Sequence, residues 1–424
     1  MISILIVIFS LTYLAIAFEH PLKINKSASA LLGAALLWAV YAAASADLEK
    51  VNHELSETLA ATAQIVFFLM GAMAIVEVID AHDGFDFITS RIKTKNLLTL
   101  LWIICPVTFF MSAVLDNLTT TIVIISLVKK LLDNQQDRLI FAGMTVIAAN
   151  AGGAWSPIGD VTTTMLWIGG QITATQIVKS LILPSIVNLM IPLCIISFAL
   201  KGKSVYPPKL IPRSDGFSTS VQERNVMLFL GLGVLISVPA FKALTHLPPF
   251  MGVFLGLGLL WLVGDLLHKS KSLEERNHVD LAGALSRIDL ASIIFFVGIL
   301  LAVSTLEHTG LLTALANSLD QFIGRQDLIV ILIGLASAVV DNVPLVAASM
   351  GMYSLDTYPT DHFLWEFLAY CAGTGGSILI IGSAAGVAAM GLEKIEFGWY
   401  LRKISGVALL GYLGGALVYI FQFG

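Results

Sequence analysis

The 424-residue chain is 57% hydrophobic and only 12% charged, with a mean hydropathy of +0.87. Soluble proteins carry roughly a quarter charged residues, so this composition excludes an ordinary water-soluble enzyme and describes a chain whose main solvent is lipid. A net charge of −5 without a clustered basic tail gives no footing for nucleic acid, and Cys105, Cys194 and Cys371, within apolar runs at no ligand spacing, read as buried thiols.

Crossing a ~30 Å hydrocarbon core takes about 20 apolar residues. Such runs are predicted at 2–18, 27–46 and 59–79, bounded by charges such as Glu19, Asp47, Glu49, Lys50 and Asp80. The first lacks a basic n-region and a clear cleavage site, so it reads as a membrane helix and not as a signal peptide. Residues 97–132 form one hydrophobic stretch interrupted at its middle by Asp116-Asn117, too long for one crossing and short for two, which predicts a re-entrant hairpin with that pair at its tip. In 139–170 the helical pattern is interrupted by Asn150-Ala151-Gly152-Gly153-Ala154-Trp155-Ser156-Pro157-Ile158-Gly159-Asp160, and three glycines and a proline predict an unwound centre. A span at 177–200 closes the first half, and residues 201–224 form a connector.

The order then repeats: spans at 225–243, 250–268 and 289–306, a hairpin at 327–355, a broken helix at 362–393 and a span at 400–423. Ser112-Ala113-Val114-x-Asp116-Asn117 returns as Ser337-Ala338-Val339-x-Asp341-Asn342. Phe68-x-x-Gly71 returns as Phe295-x-x-Gly298, and Gly152-Gly153 with Gly159 as Gly375-Gly376 with Gly382. The expected fold is thus an all-α polytopic membrane protein, with repeats at 1–200 and 225–424 of about five transmembrane helices plus one hairpin each. An odd number of crossings per repeat makes the second run upside down. On that topology all but Lys50, Lys179, Lys242 and Arg325 of the 24 Lys and Arg fall on one side, which is then cytoplasmic, with both termini periplasmic or external. An inverted repeat with two hairpins and two discontinuous helices is the architecture of a secondary transporter.

Irregular backbone survives at membrane depth only around a protein-lined or watery cavity, so both tips and both breaks are expected to line one cavity. Asp116, Asp160 and Asp341 each cost about 2.5–3.5 kcal/mol at the bilayer centre on insertion scales. A Na⁺-sized hard cation offsets that cost through carboxylate, amide and hydroxyl oxygens, which Asn117, Thr119, Thr120, Asn150, Thr162 and Thr163 supply. Desolvation favours a neutral carboxyl, so H⁺ can compete with Na⁺ at Asp116 and Asp160. The plainer reading is that Asp116 and Asp160 cap the helices that follow, and both roles are compatible. Asp341 precedes Pro344 where the first hairpin has Thr119, and Ser383 stands where the first break has Asp160, so the second half is poorer in ligands and Asp341 is either an ion ligand or structural. Glu77 and Asp80 read as interfacial charges.

The Asp-Asn hairpin tips, the AGGAWSPIGDVTT break and the GTGGS break resemble the NhaD-type Na⁺/H⁺ antiporters of the ion transporter superfamily, over essentially the whole chain. The resemblance implies a homodimer with a scaffold and an elevator-like transport domain, and efflux of Na⁺, often Li⁺, driven by inward H⁺ across a bacterial inner membrane, with no cofactor. It also implies an ion site of Asp116, Asn117, Asn150, Asp160, Thr162 and Thr163, with Asp341, Asn342 and Ser377 contributing from the second half. Two other readings compete. A Na⁺-coupled carrier of a small anion such as a dicarboxylate or arsenite needs uncharged tips or a basic partner, and no Lys or Arg is near either break in sequence. An intramembrane aspartyl protease carries Gly-x-Gly-Asp, whereas this chain has Pro157-Ile158-Gly159-Asp160.

Overall fold

The computed structural model describes residues 1–85, 87, 94–205, 220–269, 281–339 and 341–424. Of the basic residues assigned above to the cytoplasmic side, Arg91, Lys93, Lys209, Arg213, Lys271 and Arg276 lie outside the described residues, as does most of the connector. The described chain is helical throughout, with one isolated antiparallel bridge between Asn96 and Ser204.

The first half comprises α1 (Ile2–Ala17), a short α2 (Glu19–Leu22), α3 (Lys26–Ala44), α4 (Leu48–Ala81), α5 (Leu97–Leu115), α6 (Asn117–Leu131), α7 (Gln135–Ala154), α8 (Val161–Ile168) and α9 (Ala174–Leu200). The second comprises α10 (Val221–Thr245), α11 (Pro249–Leu267), α12 (Leu281–Arg287), α13 (Leu290–His308), α14 (Leu311–Ile323), α15 (Gln326–Ala336), α16 (Asn342–Met352), α17 (Phe363–Gly375) and α18 (Ala384–Glu393). Last come α19 (Phe397–Tyr400), a π-helical turn at Leu401–Ser405 and α20 (Gly406–Phe423). Eight helices among the described residues are long and apolar enough to cross a membrane. Phe198, Leu244, Phe322 and Phe421 stand out into the surroundings, a poor arrangement in water and an ordinary one in lipid.

Each expected hairpin is a helix pair (α5/α6 and α15/α16) and each expected broken helix another (α7/α8 and α17/α18). Besides the short α2 and α19, two helices fall outside the expected elements. The amphipathic α14 interrupts what reads as a loop; its Leu311, Leu315, Leu319 and Phe322 recur every three or four residues beside Asn317 and Asp320, a surface-helix pattern too short for a span. The seven-residue α12 leads into α13.

The two halves pack reciprocally. Gly71 of α4 takes Val253 of α11 against its bare Cα, and Gly298 of α13 takes the backbone of Ala30 and Leu31 on α3. Small residues let membrane helices approach closely where lipid supplies no hydrophobic drive. The echo continues at the tips: Ser112 Oγ donates to the Ala149 carbonyl at 2.6 Å, and Ser337 Oγ to that of Ala372 at 2.8 Å. Gly152 lies against the Phe109 carbonyl, and Gly375 against that of Gly334. In each half one hairpin arm therefore crosses its broken helix at a glycine, which brings tip and break together.

Candidate functional site

Helix α7 stops at Ala154 and α8 starts at Val161, with Asp160 at its N-cap: Oδ1 accepts from the Thr162 amide at 3.0 Å. The capping role is therefore real, and it leaves Oδ2 free to face the tips. There Oδ2 accepts from Asn117 Nδ2 of the first tip at 2.7 Å and from Asn342 Nδ2 of the second at 3.4 Å. Asn117 Nδ2 also donates to Asn150 Oδ1 at 3.0 Å, while Asn150 Nδ2 donates to Ser377 Oγ and Ser383 Oγ, each at 2.9 Å. One connected network thus joins both tips and both breaks, and its members are almost wholly buried, Asp160 at 2% and Asn150 at 0% exposure. Thr163 Oγ1 donates to the Asp160 carbonyl at 2.9 Å, and the buried Thr162 hydroxyl has no partner among the described residues.

Asp116 stands beside this network. It is half-buried, its Oδ1 accepts from the Thr119 amide at 2.8 Å and its Oδ2 from the Thr119 hydroxyl at 2.9 Å. Its backbone has φ +71°, a conformation that favours glycine and costs a side-chain-bearing residue about 1–3 kcal/mol. Such an outlier persists where surrounding structure over-determines it. Asp116 and Asp160 line the same small cavity, about 20 Å³, enough for one water-sized occupant. On the other side of the tip Thr119 also lines a larger cavity of about 400 Å³, whose wall carries Glu19, Glu77, Asp80 and Asp289 together with Lys26 and Arg287. Glu77 and Asp80 thus lie on a cavity wall, where Glu77 is engaged by Arg287 Nε at 3.3 Å.

Asp341 does not join Asp116 and Asp160. Its Oδ2 accepts from Lys26 Nζ of α3 at 2.7 Å, and its Oδ1 from the Val343 amide at 3.3 Å. A basic side chain thus reaches a tip, although no Lys or Arg is near either break in sequence, because folding closes a separation of 315 residues. Lys242 is placed differently, donating to the Trp167 carbonyl at 2.8 Å near the C-terminus of α8, where a helix dipole favours a cation. Of the expected site residues, Asn117, Asn150, Asp160, Asn342 and Ser377 share one network, Thr162 and Thr163 begin the helix that Asp160 caps, and Asp116 shares the cavity. Ser383 was visible only as the counterpart of Asp160, and nothing local pointed to Lys26.

Asn150, on the first broken helix, bridges to the second through Ser377 and Ser383. We expect Asn150→Ala to leave Ser377 and Ser383 without their shared donor and Asn117 without one acceptor. Loss of buried hydrogen bonds at about 1 kcal/mol each predicts a thermal midpoint lowered by several degrees, measured in detergent, whereas Asn150→Asp retains the acceptor and brings a second charge next to Asp160.

Paired hairpins and interrupted helices converging on buried polar groups, inside an all-helical membrane body, define a membrane transporter and not an enzyme. A family model described as citrate transporter (CitMHS) matches residues 13–373. Sodium/proton antiporter 1 of Arabidopsis thaliana is 50% identical over 97% of this chain and 71% of its own length. The Na⁺/H⁺ antiporter NhaD of Vibrio cholerae is 31% identical over 98% of this chain and 90% of its own. The chain belongs to the CitMHS family, and its similarity to these relatives identifies it with the NhaD-type antiporters. The YdaH transporter of Alcanivorax borkumensis, described as having an unusual topology, shares the fold at a TM-score of 0.58 over 89% of both chains, with 13% identity.

Proposed function

We propose that the chain exchanges Na⁺, and with it Li⁺, for H⁺, by competition of the two ions for one site around Asp160 and Asp116. The carrying observation is the Asp160 carboxylate, held at the junction of both tips by the amides of Asn117 and Asn342 and sharing a one-occupant cavity with Asp116. A carboxylate accepts only, whereas a primary amide presents N–H on one side and carbonyl on the other. Turned one way, Asn117 and Asn342 satisfy the bare carboxylate; turned the other, their oxygens join it around a cation or accept from its acid proton. Both ions then claim the same carboxylate oxygen, which makes them mutually exclusive. The names of the antiporter relatives support the same reading.

Alternation between sides would follow from motion of the two hairpins and broken helices as a unit, elevator-like, against α3, α4, α11 and α13. We read the reciprocal packing of the halves as an inverted repeat, residues 1–200 and 225–424 joined by 201–224, with the acidic 400 Å³ cavity opening to the Lys/Arg-rich side and both termini on the other. We place the chain in a bacterial inner membrane as a homodimer. The name of the family model favours an anion instead. Citrate at two carboxylates requires a free cation, while Lys26 is engaged by Asp341 and Lys242 by a carbonyl.

In everted vesicles holding a preformed ΔpH, Na⁺ or Li⁺ is expected to dissipate the gradient and citrate to leave it intact. With one proton competing per Na⁺, the apparent Na⁺ affinity weakens about tenfold for each pH unit on the acidic side. Citrate-dependent proton movement with no response to Na⁺ or Li⁺ overturns the reading.

A further inference from the structure

The two hairpin tips repeat a phrase and differ in how the aspartate is held. At the first, Thr119 gives Asp116 an amide and a hydroxyl. The corresponding residue in the second is Pro344, which has neither. Asp341 keeps only the 3.3 Å contact from the Val343 amide and takes Lys26 Nζ at 2.7 Å as its partner. Lys26 is itself fixed from two sides: its backbone N–H donates to Glu19 Oε1 at 3.3 Å, and its ammonium lies 4.4 Å from the ring centre of Phe295 on α13. Helix α13 packs against both α3 and α16, so the pair spans a three-helix junction. The pair also borders the 400 Å³ cavity, which Lys26 lines.

We propose that Lys26 is a tethered counter-cation for the second hairpin: it occupies Asp341, so that ion exchange is confined to Asp116 and Asp160, and it fastens that tip to α3 while the 400 Å³ cavity is open. This rests on the exchange reading for its first half and on geometry alone for its second. Asp341 and Lys26 together add no net charge to the cycle. Any movement of the second hairpin relative to α3 breaks the pair, which therefore favours the cavity-open arrangement.

The test combines labelling with transport. Ala388, on the wall of the same cavity, is replaced by cysteine, and its reaction with a membrane-impermeant thiol reagent is followed after subtracting that of the parent protein. Lys26→Met and Asp341→Asn are each expected to slow labelling about three- to tenfold, the range of a partly exposed, hydrogen-bonded ion pair. The Lys26→Met/Asp341→Asn double variant, which buries no unpaired charge, is expected to slow it no further. Asp341→Asn is also expected to retain Na⁺-driven proton movement, at a reduced rate and with unchanged charge per Na⁺. Labelling that is unaltered in all three variants, or single effects that add in the double, overturns the tether. Loss of exchange in Asp341→Asn as complete as in Asp160→Asn overturns the confinement of exchange. A wild type that moves no Na⁺ overturns the exchange reading, and labelling still decides the tether.

Discussion

Asp160→Asn is expected to abolish Na⁺-driven proton movement, by more than about a hundredfold, in a protein that still folds. The two halves of that expectation come from different oxygens of one side chain. Oδ1 caps α8 through the Thr162 amide, and asparagine caps a helix as well as aspartate does, so the break keeps its shape. Oδ2 accepts the amides of Asn117 and Asn342, and an Nδ2 placed there meets two donors with a third. The variant also loses the charge that holds a cation and the group that takes the proton. A charge-assisted contact is worth roughly 3 kcal/mol, and tenfold per 1.4 kcal/mol gives the hundredfold. The check is fluorescence quenching in everted vesicles beside thermal unfolding of the same preparation. An active Asp160→Asn protein moves the exchanged ion elsewhere.

Gly152→Ala carries the largest expected effect on folding. A Cβ at Gly152 runs into the carbonyl, carbon and Cα of Phe109, and one at Gly375 into the carbonyl of Gly334. These are backbone atoms of α5 and α15, which cannot rotate away as a side chain can, so each alanine pushes a hairpin off its broken helix. Overpacking costs about 1–3 kcal/mol and sometimes more, and in Gly152→Ala it acts at the crossing that brings the first tip to the first break. The control is Gly258→Ala on α11, where a Cβ meets nothing within 4 Å. Alanine is favoured over glycine in a helix interior by roughly 0.5–1 kcal/mol, so that variant is expected to match or exceed the wild type. Thermal midpoints in detergent decide, and a Gly152→Ala protein as stable as Gly258→Ala contradicts the crossing argument.

Much of the architecture was legible because lipid imposes simple rules. Apolar length marked the spans, Asp116-Asn117 and Asp341-Asn342 marked the tips, and glycine with proline marked the first break. The repeat in the text anticipated matching packing, Ser112 with Ser337 and Gly152 with Gly375, since a residue required by a close crossing in one half is required in the other. What escaped the sequence depended on partners that are distant in the chain. Lys26 reads there as a charge flanking a span, and only folding puts it on Asp341. The amphipathic α14 escaped because it neither spans nor breaks a span. The difference between the tips was half visible: Pro344 in place of Thr119 said that the second tip is poorer in ligands, but not that Lys26 makes up for it.

Mutual exclusion of Na⁺ and H⁺ at Asp160 and Asp116 can be tested on the purified protein without a membrane gradient. Na⁺ is added to the detergent-solubilised protein in weak buffer, and protons released are counted with a pH dye. Release that saturates with Na⁺, occurs with Li⁺, is absent with citrate salts of a bulky organic cation and disappears in Asp160→Asn is the result expected. Saturable Na⁺ binding with no proton release, or release unchanged in Asp160→Asn, contradicts it.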